Sequence, residues 1–229
     1  MRSVLKQVAW QLPPRFQQTL KRRHFALQIR RGRFDSPEPE YGLLETWVGV
    51  GDLVLDLGAN IGHYTLRLCD IVGPEGHVIA LEPVPRTFEL LVANMGRREA
   101  SNATLLNAAA SDETALLRMA VPRLSTGGDN YYRAHVTDGD EGIGVLGIPV
   151  DSLRIPRRVS LVKIDVEGHE MAALKGMELL LRRDHPVLIV EGRSGEVGRY
   201  LTGLGYGVRE LDGSPNRVFL SRGAPIRAE

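Results

Sequence analysis

From Val50 onward, short apolar runs rich in Val, Ile and Leu alternate with longer stretches in which apolar residues recur at helical spacing. That alternation is the pattern of βαβ units around a parallel sheet, because strands covered on both faces have no polar side whereas their crossover helices do. The runs LVLDL (53–57), HVIALE (77–82), ATLLNAA (103–109), SLVKID (160–165), PVLIVE (186–191), YGVREL (206–211) and RVFLS (217–221) predict strands. Helical patterns fall near 62–72, 85–97, 169–183 and 195–204. Only Asp212-Gly213-Ser214-Pro215-Asn216 separates the last two runs, so they predict an antiparallel hairpin.

Two stretches stand outside this alternation. Residues 122–147, PRLSTGGDNYYRAHVTDGDEGIGVLG, are rich in Gly and Asp and have no helical period. Loops of that length inside a compact domain are usually functional, and Tyr131, Tyr132, Arg133 and His135 suit a lid over a substrate. Residues 3–30 read as two short amphipathic helices split by Pro13-Pro14. The chain of 229 residues is long enough for one substantial α/β domain, here 38–229, with a basic helical extension, 1–37.

Charge sharpens that division. Residues 1–33 carry nine Lys and Arg and no acid, which leaves 20 basic against 28 acidic residues in the remainder, about −8. An acidic body argues against a domain that grips nucleic acid across its surface. The arm reads as a helical cap with its basic face in water, or as a weak contact for an anionic membrane surface or a partner. A single cysteine, Cys69, excludes intramolecular disulfides and multi-cysteine metal sites, and no apolar run is long enough to span a bilayer. These features, with no apolar leader before Pro13, predict a cytoplasmic protein. Association into a homo-oligomer stays open.

The first strand runs into VLDLGANIGHYT, in which Gly58 and Gly62 flank Ala59-Asn60-Ile61. A dinucleotide site would show G-x-G-x-x-G, whose middle glycine makes room for the pyrophosphate. Here the spacing is G-x-N-x-G, and no GxxxxGK[ST] phosphate loop exists. The pattern D-x-G-x-N-x-G from Asp56 suits S-adenosylmethionine, a cofactor without phosphates. Glu82 ends the second strand, where a carboxylate can accept both ribose hydroxyls. On its own Glu82 fits NAD equally well, and an NAD oxidoreductase stays as a rival. Asn107 to Asp112 form a polar strand end where Ser111 or Asp112 could read an adenine edge, or simply cap a turn.

The fourth strand leads to the densest acid/base cluster in the chain, Lys163, Asp165, Glu167, His169 and Glu170. No second His follows as a zinc protease requires, and Gly192-Arg193-Ser194-Gly195 is not a nucleophile elbow.

Taken in order, LDLGANIGHYT, ALEP, NAAASD, VDSL, VKIDVEGHEMAALKG and PVLIVEG resemble the FkbM family of S-adenosylmethionine-dependent methyltransferases over roughly residues 38–222. The resemblance implies a class I methyltransferase fold, Rossmann-like, with a seven-stranded mostly parallel sheet of order 3-2-1-4-5-7-6 ending in an antiparallel hairpin. It implies O-methylation of a hydroxyl on a sugar, glycan or polyketide-type natural product. By position, Asp56, Gly58, Ala59, Asn60, Gly62, Tyr64 and Thr65 correspond to the cofactor loop, Glu82 and Pro83 to the ribose side, Ser111 and Asp112 to the adenine side, and Asp165 to the strand end beside the methyl group.

An alcohol acceptor calls for a base, and His169 and His135 have a suitable unperturbed pKa. His169 is preferred, with Asp165 orienting; Asp165 and Glu167 serve instead if burial raises their pKa values. No metal is expected, with Mg2+ held by Asp165 and Glu191 as the less favoured alternative. RNA or protein methylation through the arm, and a non-catalytic cofactor-binding module at a membrane, are the remaining rivals.

Overall fold

The computed structural model describes residues 14–98, 100–122, 130, 133–137, 139 and 141–221. Its strands are β1 (Leu53–Leu57), β2 (His77–Leu81), β3 (Ala103–Leu106), β4 (Ala109–Ala110), β5 (Ala115–Ala120), β6 (His135–Thr137), β7 (Ile143–Ile148), β8 (Val159–Ile164), β9 (Val187–Glu191), β10 (Tyr206–Glu210) and β11 (Asn216–Ser221). The helices are α1 (Pro14–Arg30), α2 (Leu44–Trp47), α3 (His63–Val72), α4 (Pro85–Arg97), α5 (Glu170–Lys175), α6 (Glu178–Asp184) and α7 (Gly195–Gly203).

Seven strands form one sheet in the order β10-β11-β9-β8-β1-β2-β3. Read from β3, this is the order 3-2-1-4-5-7-6, with β11 antiparallel to both β9 and β10. Every residue of β1 is buried, as a central parallel strand covered on both faces requires, and Asp56 is the one polar residue in it. Two apolar clusters cover the two faces. One joins Leu55, Leu57 and Ile164 to Leu174 and Leu181; the other joins Val54, Val78 and Leu161 to Leu68 and Trp47. The order reverses between β1 and its neighbours β2 and β8, and such a switch point opens a crevice at the carboxyl ends of the strands.

Three expectations need correction. The strand predicted over 103–109 stops at Leu106, and Ala109–Ala110 joins a second sheet of order β4-β7-β5-β6. That sheet draws β6 and β7 from the predicted lid 122–147, so residues 135–137 and 143–147 of this stretch are strand where a loop was expected. The pattern hid it because ALLRMA in β5 is built of helix-favouring residues and β6 has three residues. Tyr131 and Tyr132 lie outside the described residues.

The helix predicted over 169–183 is two helices. Gly176 sits against the backbone of Ser111, where a Cβ would come within 1.8 Å of the Ser111 carbonyl oxygen. The chain then restarts as α6 because the Asp151 carboxylate accepts the N–H groups of Leu179 and Leu180 at 2.9 and 3.0 Å, capping the new N-terminus.

The first of the two N-terminal helices lies outside the described residues. The second is α1, which packs on the domain: its Phe25 shares a buried cluster with Ile61 of the β1–α3 turn and Leu90 of α4. The following segment is tied down by Glu40, fully buried, whose carboxylate accepts from Ser214 Oγ (2.6 Å), Tyr64 Oη (3.4 Å) and the Asn216 side-chain amide. Among the described residues no helix is long and apolar enough to cross a membrane.

Candidate functional site

The β1–α3 turn is held from three sides. Gly58 (φ +80°) has no room for a side chain, since a Cβ would lie 1.7 Å from the Asp165 carbonyl oxygen at the end of β8. Its glycine therefore serves the close approach of two strand ends, before any ligand is considered. The N–H groups of Gly58 and Ala59 both donate to the Leu81 carbonyl at 2.9 Å, and that of Asn60 donates to Glu82 Oε2 at 3.0 Å. From α4, Asn94 Nδ2 donates to the Ile61 carbonyl at 2.9 Å. Three consecutive N–H groups of this turn are thus spent on β2, which leaves none of them to cradle a phosphate.

Several predicted cofactor residues stand behind the turn and do not line the crevice. Asp56 Oδ2 accepts from Thr65 Oγ1 at 2.6 Å, pinning the strand to the first turn of α3. Burial raises the Asp56 pKa, against the pull of Lys163 beside it on β8. The hydroxyl of Tyr64 donates to Glu38 Oε2 at 2.6 Å, and the Lys163 ammonium lies 4.6 Å from the Tyr64 ring centroid. Ala59 is buried, and Gly62 (φ +95°) lies against Leu91, where a Cβ would come within 2.7 Å of its Cδ1. Gly58, Asn60, Glu82, Pro83, Asp165 and Glu167 do line the crevice, as do His169 and Glu191.

Glu82 is the buried acid of the crevice. Its Oε1 accepts the Val84 N–H at 2.9 Å while Oε2 takes Asn60. Burial pushes its pKa up to about 7, with the two N–H groups working the other way. A carboxylate offers about four lone-pair sites, so roughly two remain for hydroxyls in the crevice.

At the opposite wall, Lys163 Nζ pairs with Asp165 Oδ2 at 2.7 Å. Burial opposes the Lys163 charge, but Asp165 and Asp56 outweigh it and its pKa is raised. Burial also opposes the Asp165 carboxylate, and Lys163 outweighs it, holding that pKa below the usual value. Glu191 shares a hydrogen bond with Asp165; burial and this neighbour push its pKa up to about 8. Oxygens of Asp165, Glu167 and Glu191 all lie within 4.8 Å of one another.

Glu167 and the following Gly168 both take left-handed backbone, at φ +49° and +92°. For a glutamate this is an uncommon and costly conformation that the surrounding fold must enforce. Burial raises the Glu167 pKa, Asp165 adds to it, and Arg133 and His135 of the second sheet pull it down. Of these two carboxylates, then, burial raises the pKa of Glu167 while that of Asp165 lies below the usual value.

The two histidines differ in place. His169 lines the crevice, but its Nε2 is 3.1 Å from Ser111 Oγ, so it ties the start of α5 to β4. Burial lowers its pKa. His135 is exposed on β6, with Nδ1 at 3.2 Å from the Arg133 carbonyl. Ser111 is buried and Asp112 is exposed, and neither lines the crevice. Asn107 does not face a ligand either: its side-chain amide holds the Glu82 and Pro83 carbonyls at 2.8 and 3.0 Å.

What sequence reasoning missed is the apolar wall of the crevice, made by Val84, Ala109, Met119, Ala134 and Val136. Four of these come from the second sheet or its edge, and its short strands gave no periodic signal.

A family model described as Methyltransferase FkbM domain matches residues 56–206. Over 145 residues the chain is 30% identical to hexuronic acid methyltransferase AglP of Haloferax volcanii, covering 60% of this chain and 55% of that protein. It is 28% identical to Methyltransferase 1 of Beauveria bassiana over 145 residues, 55% of this chain and 58% of that protein. The chain thus spans a little over half the length of the curated relatives it matches. Among solved structures it resembles the methyltransferase FkbM of Methylobacillus flagellatus, with TM-score 0.57 and 20% identity over 80% of this chain and 50% of that one. It also resembles Aeropyrum pernix fibrillarin, solved with natively bound S-adenosyl-L-methionine, with TM-score 0.50 and 16% identity over 78% and 73%. Those two likenesses bear on the fold, while the matched family model covers well over half of the sequence: the chain belongs to the FkbM family of methyltransferases.

Proposed function

We propose that this protein transfers a methyl group from S-adenosylmethionine to a hydroxyl oxygen of a sugar, glycan or polyketide-type natural product. The observation that carries the donor is the pairing of a turn, in which the Gly58, Ala59 and Asn60 N–H groups are already spent, with a buried acid, Glu82, that keeps free lone pairs toward the crevice. That combination fits a ribose without a pyrophosphate. The Asn60 Oδ1, buried and without a partner, adds an acceptor in the same turn for an ammonium group.

S-adenosylmethionine, when bound, supplies a methyl group on a sulfonium, whose sulfur keeps the S–C electron pair as the new O–C bond forms. The chain has to bind, align and deprotonate. Glu82 would hold the ribose hydroxyls, and the apolar wall of Met119, Ala134 and Val136 would cover a flat ring. Asp165, kept ionised by Lys163, would orient the acceptor hydroxyl. Glu167 would take the hydroxyl proton, because its carboxylate combines a raised pKa with a place on the crevice wall. His169 keeps the wall in place through Ser111 in this reading.

A relative named as a hexuronic acid methyltransferase supports a sugar acceptor. The three clustered carboxylates are also hard oxygen ligands of the kind Mg2+ takes. We favour metal-free transfer because Lys163 and the Asp165–Glu191 hydrogen bond already neutralise two of them. Mass spectrometry of sugar and natural-product pools incubated with methyl-labelled S-adenosylmethionine, before and after exhaustive EDTA treatment, tests this. Label on a hydroxyl oxygen in both supports the reading, and label on nitrogen, or on RNA or protein alone, overturns it.

A further inference from the structure

Helix α1 has two unlike faces. On the inner one, Phe25 and Ile29 are buried, Gln18 Nε2 donates to the Arg86 carbonyl at 2.7 Å, and Arg22 pairs with Glu89 at 3.3 Å. At ~100° per residue, Phe16, Leu20, Arg23, Leu27 and Arg30 fall in an arc of about 80° on the opposite side, and Arg31 follows directly after the helix. Phe16 and Leu20 are 57% and 45% exposed there, and Arg23, Arg30 and Arg31 are exposed beside them. Isolated exposed apolar residues are ordinary, but here two large ones lie one turn apart on a helix whose charged neighbours are all cations. No acid occurs anywhere in residues 1–33, whereas the remainder of the chain carries an excess of eight acids.

We propose that this outer face of α1 docks on an anionic lipid bilayer. Phe16 and Leu20 enter the headgroup boundary, and Arg23, Arg30 and, just past the helix end, Arg31 meet lipid anions. Charge complementarity selects the surface and also the orientation, because the acidic body is repelled by the same bilayer. The mixture of side chains favours lipid over nucleic acid: single-stranded RNA sites pair cations with stacking aromatics, and leucines offer no stacking face. Docking leaves the inner face undisturbed, so Phe25 keeps its packing against Ile61 of the β1–α3 turn.

Cosedimentation of the full chain with phosphatidylcholine vesicles, with and without phosphatidylserine, tests the proposal. Binding is expected only to the anionic vesicles and should weaken as salt rises. Each arginine replaced by Gln among Arg23, Arg30 and Arg31 should cost about fivefold in affinity. Phe16→Ser with Leu20→Ser should weaken binding even at low salt, and equal thermal unfolding of all variants would show that the fold is intact. Equal binding to neutral vesicles, no binding to either kind, or binding unchanged in both sets of variants would overturn it. Salt-sensitive binding of single-stranded RNA without vesicle binding would overturn it as well and assign the face to nucleic acid.

Discussion

The Glu82 carboxylate accepts the Asn60 backbone N–H at 3.0 Å, so the end of β2 holds the turn that leaves β1. This one contact places the candidate ribose ligand and the cofactor turn in a fixed relation before any ligand arrives. Under the proposed function, the ionisation of Glu82, whose pKa burial pushes up to about 7, becomes a variable of cofactor binding.

Hydroxyl donors favour the ionised carboxylate, so ribose binding lowers the Glu82 pKa and releases a proton. Affinity for S-adenosylhomocysteine should therefore rise with pH up to about 7 and level off above it. In Glu82→Gln the affinity should fall ten- to a hundredfold, as for the loss of a charged hydrogen bond of about 1.5–3 kcal/mol, and this pH dependence should vanish. Titration calorimetry across pH measures both.

Gly58→Ala should cost at least about 2 kcal/mol of stability, because the new Cβ meets the Asp165 carbonyl and the backbone is left-handed. Gly51 provides the control. It is left-handed too, at φ +84°, but has nothing within 4 Å of its Cβ position, so Gly51→Ala should cost about 1 kcal/mol. Urea unfolding of the pair separates collision from conformation.

With a pKa raised above the usual carboxylate value, Glu167 becomes a better base as pH rises through that pKa. Glu167→Gln should lower kcat by about 10²–10⁴-fold and remove the acid limb of the pH–rate profile, with little change in S-adenosylhomocysteine affinity. His169→Ala should keep that limb and instead raise KM for the methyl donor, since His169 braces the wall near Ser111. The reverse pattern would return the base to His169.

Glu191 should make the free protein less stable as pH rises. Its pKa is about 8 when folded against an ordinary value of 4.5, so the native state holds a proton that the unfolded chain has lost between these values. The stabilisation is complete below about 4.5 and is gone once pH passes about 8. Thermal unfolding should show Tm declining across that window, and Glu191→Gln should flatten the decline.

The centre of the main sheet was legible in the sequence because β1, β8 and β9 are buried on both faces and read as nearly unbroken apolar runs, as LVLDL does. The acids at the strand ends, Asp56, Glu82 and Asp165, stood out for the same reason. The second sheet did not, since β5 is composed of helix formers and is half exposed, with Leu116 at 87%. Nor could spacing show that Gly58 faces the Asp165 backbone, that Asn107 holds carbonyls, or that His169 turns to Ser111. Those are contacts between segments distant in the chain. The raised pKa of Glu167 comes first from burial, with Arg133 and His135 from a distant part of the chain opposing it, and is likewise invisible in one dimension.

Whether the crevice takes S-adenosylmethionine is tested most directly by parallel titration calorimetry of the full chain with S-adenosylhomocysteine and with NAD. One saturable site for S-adenosylhomocysteine, weakened in Glu82→Gln, and no heat from NAD are expected. Saturable binding of NAD with none of S-adenosylhomocysteine would contradict S-adenosylmethionine as the donor.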